Sequence, residues 1–251
     1  MAETRAKSVI KAACHIHSEW SYDGQWPLTK IAAAFGRRGY HVLLTTEHDR
    51  GFSQARLLEY REACAKASTE RILIVPGIEY SDADNVVHIL VWGSIPFLGE
   101  ALPTVELLDK VKTAGGIAVL AHPSRKEAWK KFDPQWASQL AGIEIWNRKT
   151  DGWAPSNTAI PLMQGTSLLP FVGLDFHSSR QFFPLAAHID LRTPVSEVSV
   201  MDGLTHGRCH TTVFGQPFEQ QGLNGWRLVG LHAAERCRRS VAATRRLFAK
   251  D

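Results

Sequence analysis

Ile10-Lys11-Ala12-Ala13-Cys14-His15-Ile16-His17 is an apolar run that closes on two imidazoles, and the arrangement returns along the chain. Glu47-His48-Asp49 follows the run 41–46, Gly77-Ile78-Glu79 ends the run 71–78, and Val87-His88 interrupts 86–92. Ala121-His122-Pro123 and Asp175-Phe176-His177 follow the runs 116–121 and 168–174. Six of the eleven histidines are placed this way, where chance would scatter them over helices and loops as well. Neutral imidazoles and carboxylates are the donors that Zn, Mn and Fe accept, so the pattern implies a metal site built strand by strand.

The runs 141–146, 186–191 and 209–214 complete a series of candidate strands, and most are separated by helical patterns. Alternation of this kind is the sign of an α/β fold around a largely parallel sheet. Near-continuous apolar character in 10–17, 41–46, 116–121 and 141–146 suits strands covered on both faces. Helices are predicted over 27–38, opened by Pro27 and closed by Gly39, over 53–68, and over 104–114, ended by Gly115-Gly116. The segment 80–95 departs from the rhythm: Asp82-Ala83-Asp84-Asn85 is turn-like and Val86 to Trp92 follows at once, which predicts a hairpin. A closing amphipathic helix is expected over about 228–249, with Leu231, Ala234, Val241 and Leu247 or Phe248 on its apolar face.

With 251 residues, 44% hydrophobic and 22% charged, the chain suits one domain over 1–251, and about 250 residues is the usual size of an α/β barrel. The net charge of +4 is mild and concentrated near the C-terminus, at Arg227, Arg236, Arg238, Arg239, Arg245, Arg246 and Lys250. Cys14, Cys64, Cys209 and Cys237 have no disulfide or thiolate-metal spacing, so they are expected as reduced thiols. The start, Met1-Ala2-Glu3-Thr4-Arg5, is polar with no signal-type apolar core behind it, and no run approaches the ~18 apolar residues of a membrane span. A cytoplasmic protein without a membrane partner is the expectation.

His15 and His17, two residues apart on a strand, share a face. A His-x-His pair gains weight only from the clusters that accompany it. These are Ser21-Tyr22-Asp23-Gly24, Thr46-Glu47-His48-Asp49, Pro76-Gly77-Ile78-Glu79, His88, Ala121-His122-Pro123 and Gly173-Leu174-Asp175-Phe176-His177-Ser178. In these motifs and their order, over residues 13 to 178, the chain resembles the polymerase and histidinol phosphatase (PHP) domain family. The resemblance implies a distorted (β/α)7 TIM-like barrel of about seven βα units with its metal site at the C-terminal ends of the strands. It implies two or three divalent metal ions, Mn, Fe or Zn, and hydrolysis of phosphate esters. Carried over, His15, His17, Glu79 and Asp175 hold the first metal. His48 and His177, with Asp23 where some relatives place a histidine, hold the second. Glu79, as a bridging carboxylate, holds the third with His88 and His122.

On this reading Asp49 and His177 are the catalytic candidates, Asp49 orienting a neighbouring histidine or shuttling a proton, while Glu19 and Glu47 support the ligands. Arg125 and Arg148 are the candidate phosphate clamps, with Arg148 ahead of Arg125, Lys126, Lys149 and Arg180. Trp129, Trp136, Trp146 and Trp153 pack under long loops or, near the mouth, stack on a base. His41, His188, His206, His210 and His232 are structural. No Gly-x-Ser-x-Gly elbow, Cys/His signature or Gly-x-x-x-x-Gly-Lys loop is present, so no protein nucleophile is called for. The expected substrate is a small phosphorylated metabolite such as a sugar phosphate, nucleotide or histidinol phosphate. Alternatives are a 3′-5′ exonuclease or oligonucleotide phosphatase, with nucleic acid less favoured for want of a broad basic stripe, and a non-catalytic metal-binding scaffold.

Overall fold

The computed structural model describes residues 8–218 and 225–248, with side chains through residue 242. Its strands are β1 (Ser8–Ile16), β2 (Val42–Thr45), β3 (Glu47–His48), β4 (Leu73–Val75), β5 (Gly77–Ser81), β6 (His88–Trp92), β7 (Ile117–Leu120), β8 (Gly142–Asn147), β9 (Leu169–Gly173), β10 (Leu185–Leu191), β11 (Cys209–Val213) and β12 (Gln216–Pro217). The helices are α1 (Leu28–Gly36), α2 (Gln54–Ala67), α3 (Thr104–Thr113), α4 (Ala159–Met163), α5 (Glu197–Thr205) and α6 (Gly225–Phe248).

Hydrogen bonding orders the strands into two mixed sheets, β12-β11-β10-β1-β2-β4 and β3-β5-β6-β7-β8-β9. Among the described strands, regular βα repetition is broken from β10 onward, where β11 and β12 also pair antiparallel, and at β6. β10 returns antiparallel to β1, and β6 runs antiparallel to both β5 and β7. The second break is the hairpin expected over 80–95, with Tyr80 opposite Ile89. The sheets meet along a seam where Leu174 N donates to Cys14 O (3.0 Å), Phe176 N to His15 O (3.1 Å) and His17 N to Phe176 O (2.9 Å).

Both faces of the strands are buried, which explains the unbroken apolar runs. Val42, Leu44, Leu90, Trp92 and Val119 join one core cluster, while Leu43, Ile89, Val91, Ala118 and Leu120 join the other. Neighbours on a strand thus alternate between clusters, as a two-residue period demands. Each such leucine or valine contributes roughly 1.5–3 kcal/mol on burial. Helices cover the larger cluster through single stripes: Leu28, Ile31 and Phe35 on α1; Leu57, Tyr60 and Cys64 on α2; Leu107, Leu108 and Val111 on α3. Ser53 caps α2 by accepting from Arg56 N (3.2 Å).

The closing helix begins at Gly225, and residue 249 of the expected span lies outside the described residues. Leu231 packs on the core as expected, whereas Val241 is exposed. The side chains of Leu247 and Phe248 lie outside those described. Docking runs through Glu235, which accepts from Trp153 N (2.9 Å) and pairs with Arg238 and Arg239. Gly152, at φ +86°, lies so close to the Glu235 carboxylate that a Cβ there would overlap it. All four cysteines are free thiols, and no helix among the described residues is long and apolar enough to cross a membrane.

Candidate metal centre

The strand ends deliver their side chains to one point. β1 carries a bulge at its end, with register shifting between Cys14 and Ile16 and His15 at φ +59°. His122, two residues past β7, and Asp175, two past β9, also adopt left-handed backbone, at φ +25° and +47°. Non-glycine residues in this region are uncommon and held there only by their surroundings. Here the conformation re-aims each side chain at the exit of its strand. His88 is the first residue of β6 rather than the last, yet reaches the same end because β6 runs against its neighbours. Gly173 permits the close fit, since a Cβ there would overlap Oε1 of Glu144 and crowd Cβ of His15.

Glu79 on β5, 1% exposed, is the hub. Its Oε1 lies 2.7 Å from His88 Nδ1 and 3.0 Å from His122 Nε2. Its Oε2 lies 3.0 Å from His48 Nδ1, 3.3 Å from His17 Nε2 and 3.5 Å from His15 Nε2. Asp175 Oδ1 is 3.6 Å from His17 Nε2 and 3.8 Å from His15 Nε2. Asp23, on the loop after β1, reaches His48 Nε2 (3.3 Å) and His177 Nε2 (3.0 Å). All nine proposed ligands therefore meet in one centre. Three sets of donors converge within 4.8 Å: His15, His17 and Asp175; His15, Glu79 and His122; and His17, His48 and His177. His17 thus stands with the His48 pair as well as the His15 pair. His88 touches Glu79 but joins none of the three sets, and its Nε2 lies 2.6 Å from Asn85 Oδ1.

The centre fits divalent cations. His15 Nε2, His17 Nε2 and Glu79 Oε2 are buried, face one another and have no hydrogen-bond partner, and His122 Nδ1 is also unpaired. Buried polar atoms rarely stay unsatisfied, and imidazole nitrogens aimed at carboxylate oxygens are the donor set such ions take. Burial alone would raise the Glu79 carboxyl; the facing His88 and His15 imidazoles and the hydrogen bond with His122 hold it well below the usual range. Burial lowers His48, but Asp23 and Glu79 outweigh it and lift the imidazole to about 10. His17 goes the other way, well below its ordinary value, through burial and the facing His48 and His177.

A ring of acceptors fixes the ligands. Glu144 on β8 lies 2.8 Å from His15 Nδ1, accepts from His122 N (2.8 Å) and from Asn147 Nδ2 (3.0 Å). An acceptor on the far ring nitrogen fixes the tautomer that leaves the other nitrogen as a ligand. Nothing in the sequence analysis singled out Glu144; its signal was a lone carboxylate between Ile143 and Ile145 in an apolar strand. Glu47 accepts from Ser18 N (3.0 Å) and Ser21 Oγ (2.5 Å), and Ser21 Oγ in turn meets His17 Nδ1 (3.2 Å). Glu19 makes no side-chain bond to a ligand among the described residues.

Above the centre opens a cleft of about 330 Å³. Asp49 lines it with Oδ2 anchored by Ser81 N (3.2 Å) and Ala101 N (3.4 Å), and burial pushes its carboxyl up to about 6. Arg125 lines it too, its guanidinium 2.9 Å from Asn85 O and 3.1 Å from His88 Nε2. Lys149 places Nζ 3.0 Å from His177 Nε2 and 3.3 Å from Asp175 Oδ1. Arg148 does not line the cleft: its guanidinium lies over the Phe183 ring (5.3 Å) and donates to Arg180 O (3.3 Å). None of Trp129, Trp136, Trp146 and Trp153 lines it either, and Trp136 and Trp146 are buried.

No family model matches the chain, and no curated protein matches it. Solved structures do. A two-domain protein from Bacteroides vulgatus containing a predicted PHP-like metal-dependent phosphoesterase superposes with a TM-score of 0.61 at 19% identity, over 82% of this chain and 65% of that one. PsfC from Pseudomonas syringae gives 0.62 at 14%, over 82% and 92%. The lesion-specific endonuclease EndoQ from Pyrococcus furiosus gives 0.56 at 14%, over 84% and 58%. The chain therefore spans less than two thirds of the length of the Bacteroides and Pyrococcus proteins. Identities this low show that the chain shares a fold with these structures.

Proposed function

We propose that this protein hydrolyses phosphate esters of a small phosphorylated metabolite at the Glu79 centre, with two or three divalent ions of Mn, Fe or Zn as cofactors. One observation carries the reading: unpaired His15 Nε2, His17 Nε2 and Glu79 Oε2 converge beneath a cleft that Arg125 and Lys149 face. Bound divalent ions supply an acidified water and neutralise charge on the phosphoryl oxygens. The chain's residues do the rest. His15, His17, Glu79 and Asp175 would hold one ion, His48, His177 and Asp23 a second, and His88 and His122 with Glu79 a third. Arg125 offers a planar fork to phosphate oxygens and Lys149 a point charge. Asp49, with Oδ2 tied to backbone, uses Oδ1 to take or give a proton, and His177, which Lys149 contacts, is the second catalytic group.

The seam bonds between β1 and the exit of β9 support reading the two sheets as one distorted (β/α)7 barrel in a single domain over 1–251. A second reading, action on nucleic acid, draws on the likeness to the Pyrococcus endonuclease. Exposed Arg236 and Arg239 on α6 favour it, since they wall a recess that also contains Ser124 and Thr150, the sequence neighbours of Arg125 and Lys149.

The test is hydrolysis by protein reconstituted with Mn, Fe or Zn across phosphomonoesters, nucleotides, phosphodiesters and short oligonucleotides, with His48→Ala as control. Turnover lost in the control supports the reading and ranks the substrates. Silence of metal-loaded protein across the panel rejects it.

A further inference from the structure

Tyr22 stands immediately before the ligand Asp23, on the loop that leaves β1, and its ring lines the cleft. It stacks on His48 with centroids 4.9 Å apart and planes inclined by 21°. The residue is nevertheless 70% exposed, so one face rests on a ligand imidazole and the other is open. Its neighbours Trp20 and Trp26 instead pack against the core. The Tyr22 hydroxyl makes no hydrogen bond among the described residues, so no polar contact explains its position. Arg50 and Arg125 line the same cleft. An open aromatic face stacked on a ligand imidazole, in a cleft that also holds two arginines, is the surface on which bases stack.

We infer that Tyr22 selects the substrate, its open face receiving a nucleobase whose phosphate lies over the His48 side of the centre. This rests on the phosphoesterase reading and narrows its substrate to nucleoside phosphates. An aliphatic phosphate of equal charge leaves the platform uncovered and binds through the centre alone.

The experiment is calorimetry on Mn-loaded protein with adenosine 5′-monophosphate and ribose 5-phosphate as probes, for wild type, Tyr22→Ala and Tyr22→Phe. Wild type is expected to prefer the nucleotide on the order of 5- to 150-fold, the worth of one stacked base. Tyr22→Ala brings the ratio close to one, and Tyr22→Phe keeps it. Equal wild-type affinities, an undiminished ratio in Tyr22→Ala, or a Tyr22→Phe that behaves like the alanine variant each overturn the platform. Turnover is read separately: a Tyr22-dependent ratio in protein that hydrolyses neither probe nor any other ester breaks the hydrolase reading and leaves the platform standing. A 5′-phosphorylated tetranucleotide that binds more tightly than the monomer, with the same Tyr22 dependence, assigns the platform to a strand end; equal binding assigns it to a free nucleotide.

Discussion

Two groups of histidines lie in the same protein and differ in what surrounds them. The inner group gathers His15, His17, His48, His88 and His122 around Glu79. The outer group sets His188 flat against His210, centroids 5.1 Å apart and planes 13° apart, across the pair β10 and β11. Its partners are hydroxyl and backbone: His188 Nε2 meets Thr212 Oγ1 (3.1 Å), and nearby His41 Nδ1 accepts from Lys11 N (3.1 Å). Burial and the facing His210 lower His188, where the inner carboxylates lift His48. Imidazoles alone do not make a cation site; buried carboxylates among them do.

Glu79→Gln attacks that distinction most directly. It is expected to strip metal and reduce turnover by more than about 100-fold, beyond the 10- to 100-fold typical of losing an outer partner. Full metal content in the purified variant would break the comparison. Lys149→Met should leave metal bound while turnover falls about 100-fold, as when one charge-stabilising donor is removed; metal analysis beside kcat separates the two effects. Glu144→Gln keeps the acceptor shape but loses the charge facing His15, and metal affinity should weaken on the order of 10-fold in competition with a chelator.

A half-buried acid held by a backbone amide and a hydroxyl sharpens the contrast. Burial pushes Asp151 up to about 6, against hydrogen bonds from Asn147 N and Ser124 Oγ. Between about pH 4 and 6 the unfolded chain has released this proton and the folded one has not, so stability falls as pH rises and levels off above about 6. Two units correspond to about 3 kcal/mol. Denaturant unfolding at pH 4.5 and pH 7 should show Asp151→Asn losing that part of the slope; parallel curves would refute it. Smallest of all, His188→Ala with His210→Ala should change metal content and turnover by less than about twofold, within the range of surface substitutions.

The nine apolar runs read from the sequence all form strands, and the hairpin over 80–95 is where its turn residues placed it. Periodicity and turn chemistry are local, so they survive without tertiary information. Other features were not legible because they depend on partners. α4 and α5 lie in segments where no helix was anticipated, and Val241 sits on a face whose orientation is set by Glu235 docking on Trp153. Arg148 and Lys149 show the limit most clearly. Successive residues leaving a strand point opposite ways, and β8 shifts register between Glu144 and Trp146. That bulge sends Lys149 to the cleft and Arg148 to Phe183, and no pattern in the chain announces it.

The seam joins residues 14–17 to 174–176, so the first and last ligands of the centre are neighbours in space and extremes in sequence. A chain growing on the ribosome has His15, His17 and Glu79 in hand long before Asp175 and His177 emerge. Closure between such distant segments is slow and comes late. A nascent chain stalled before residue 175 therefore already carries the His15, Glu79 and His122 set but lacks Asp175 and His177, which complete the other two.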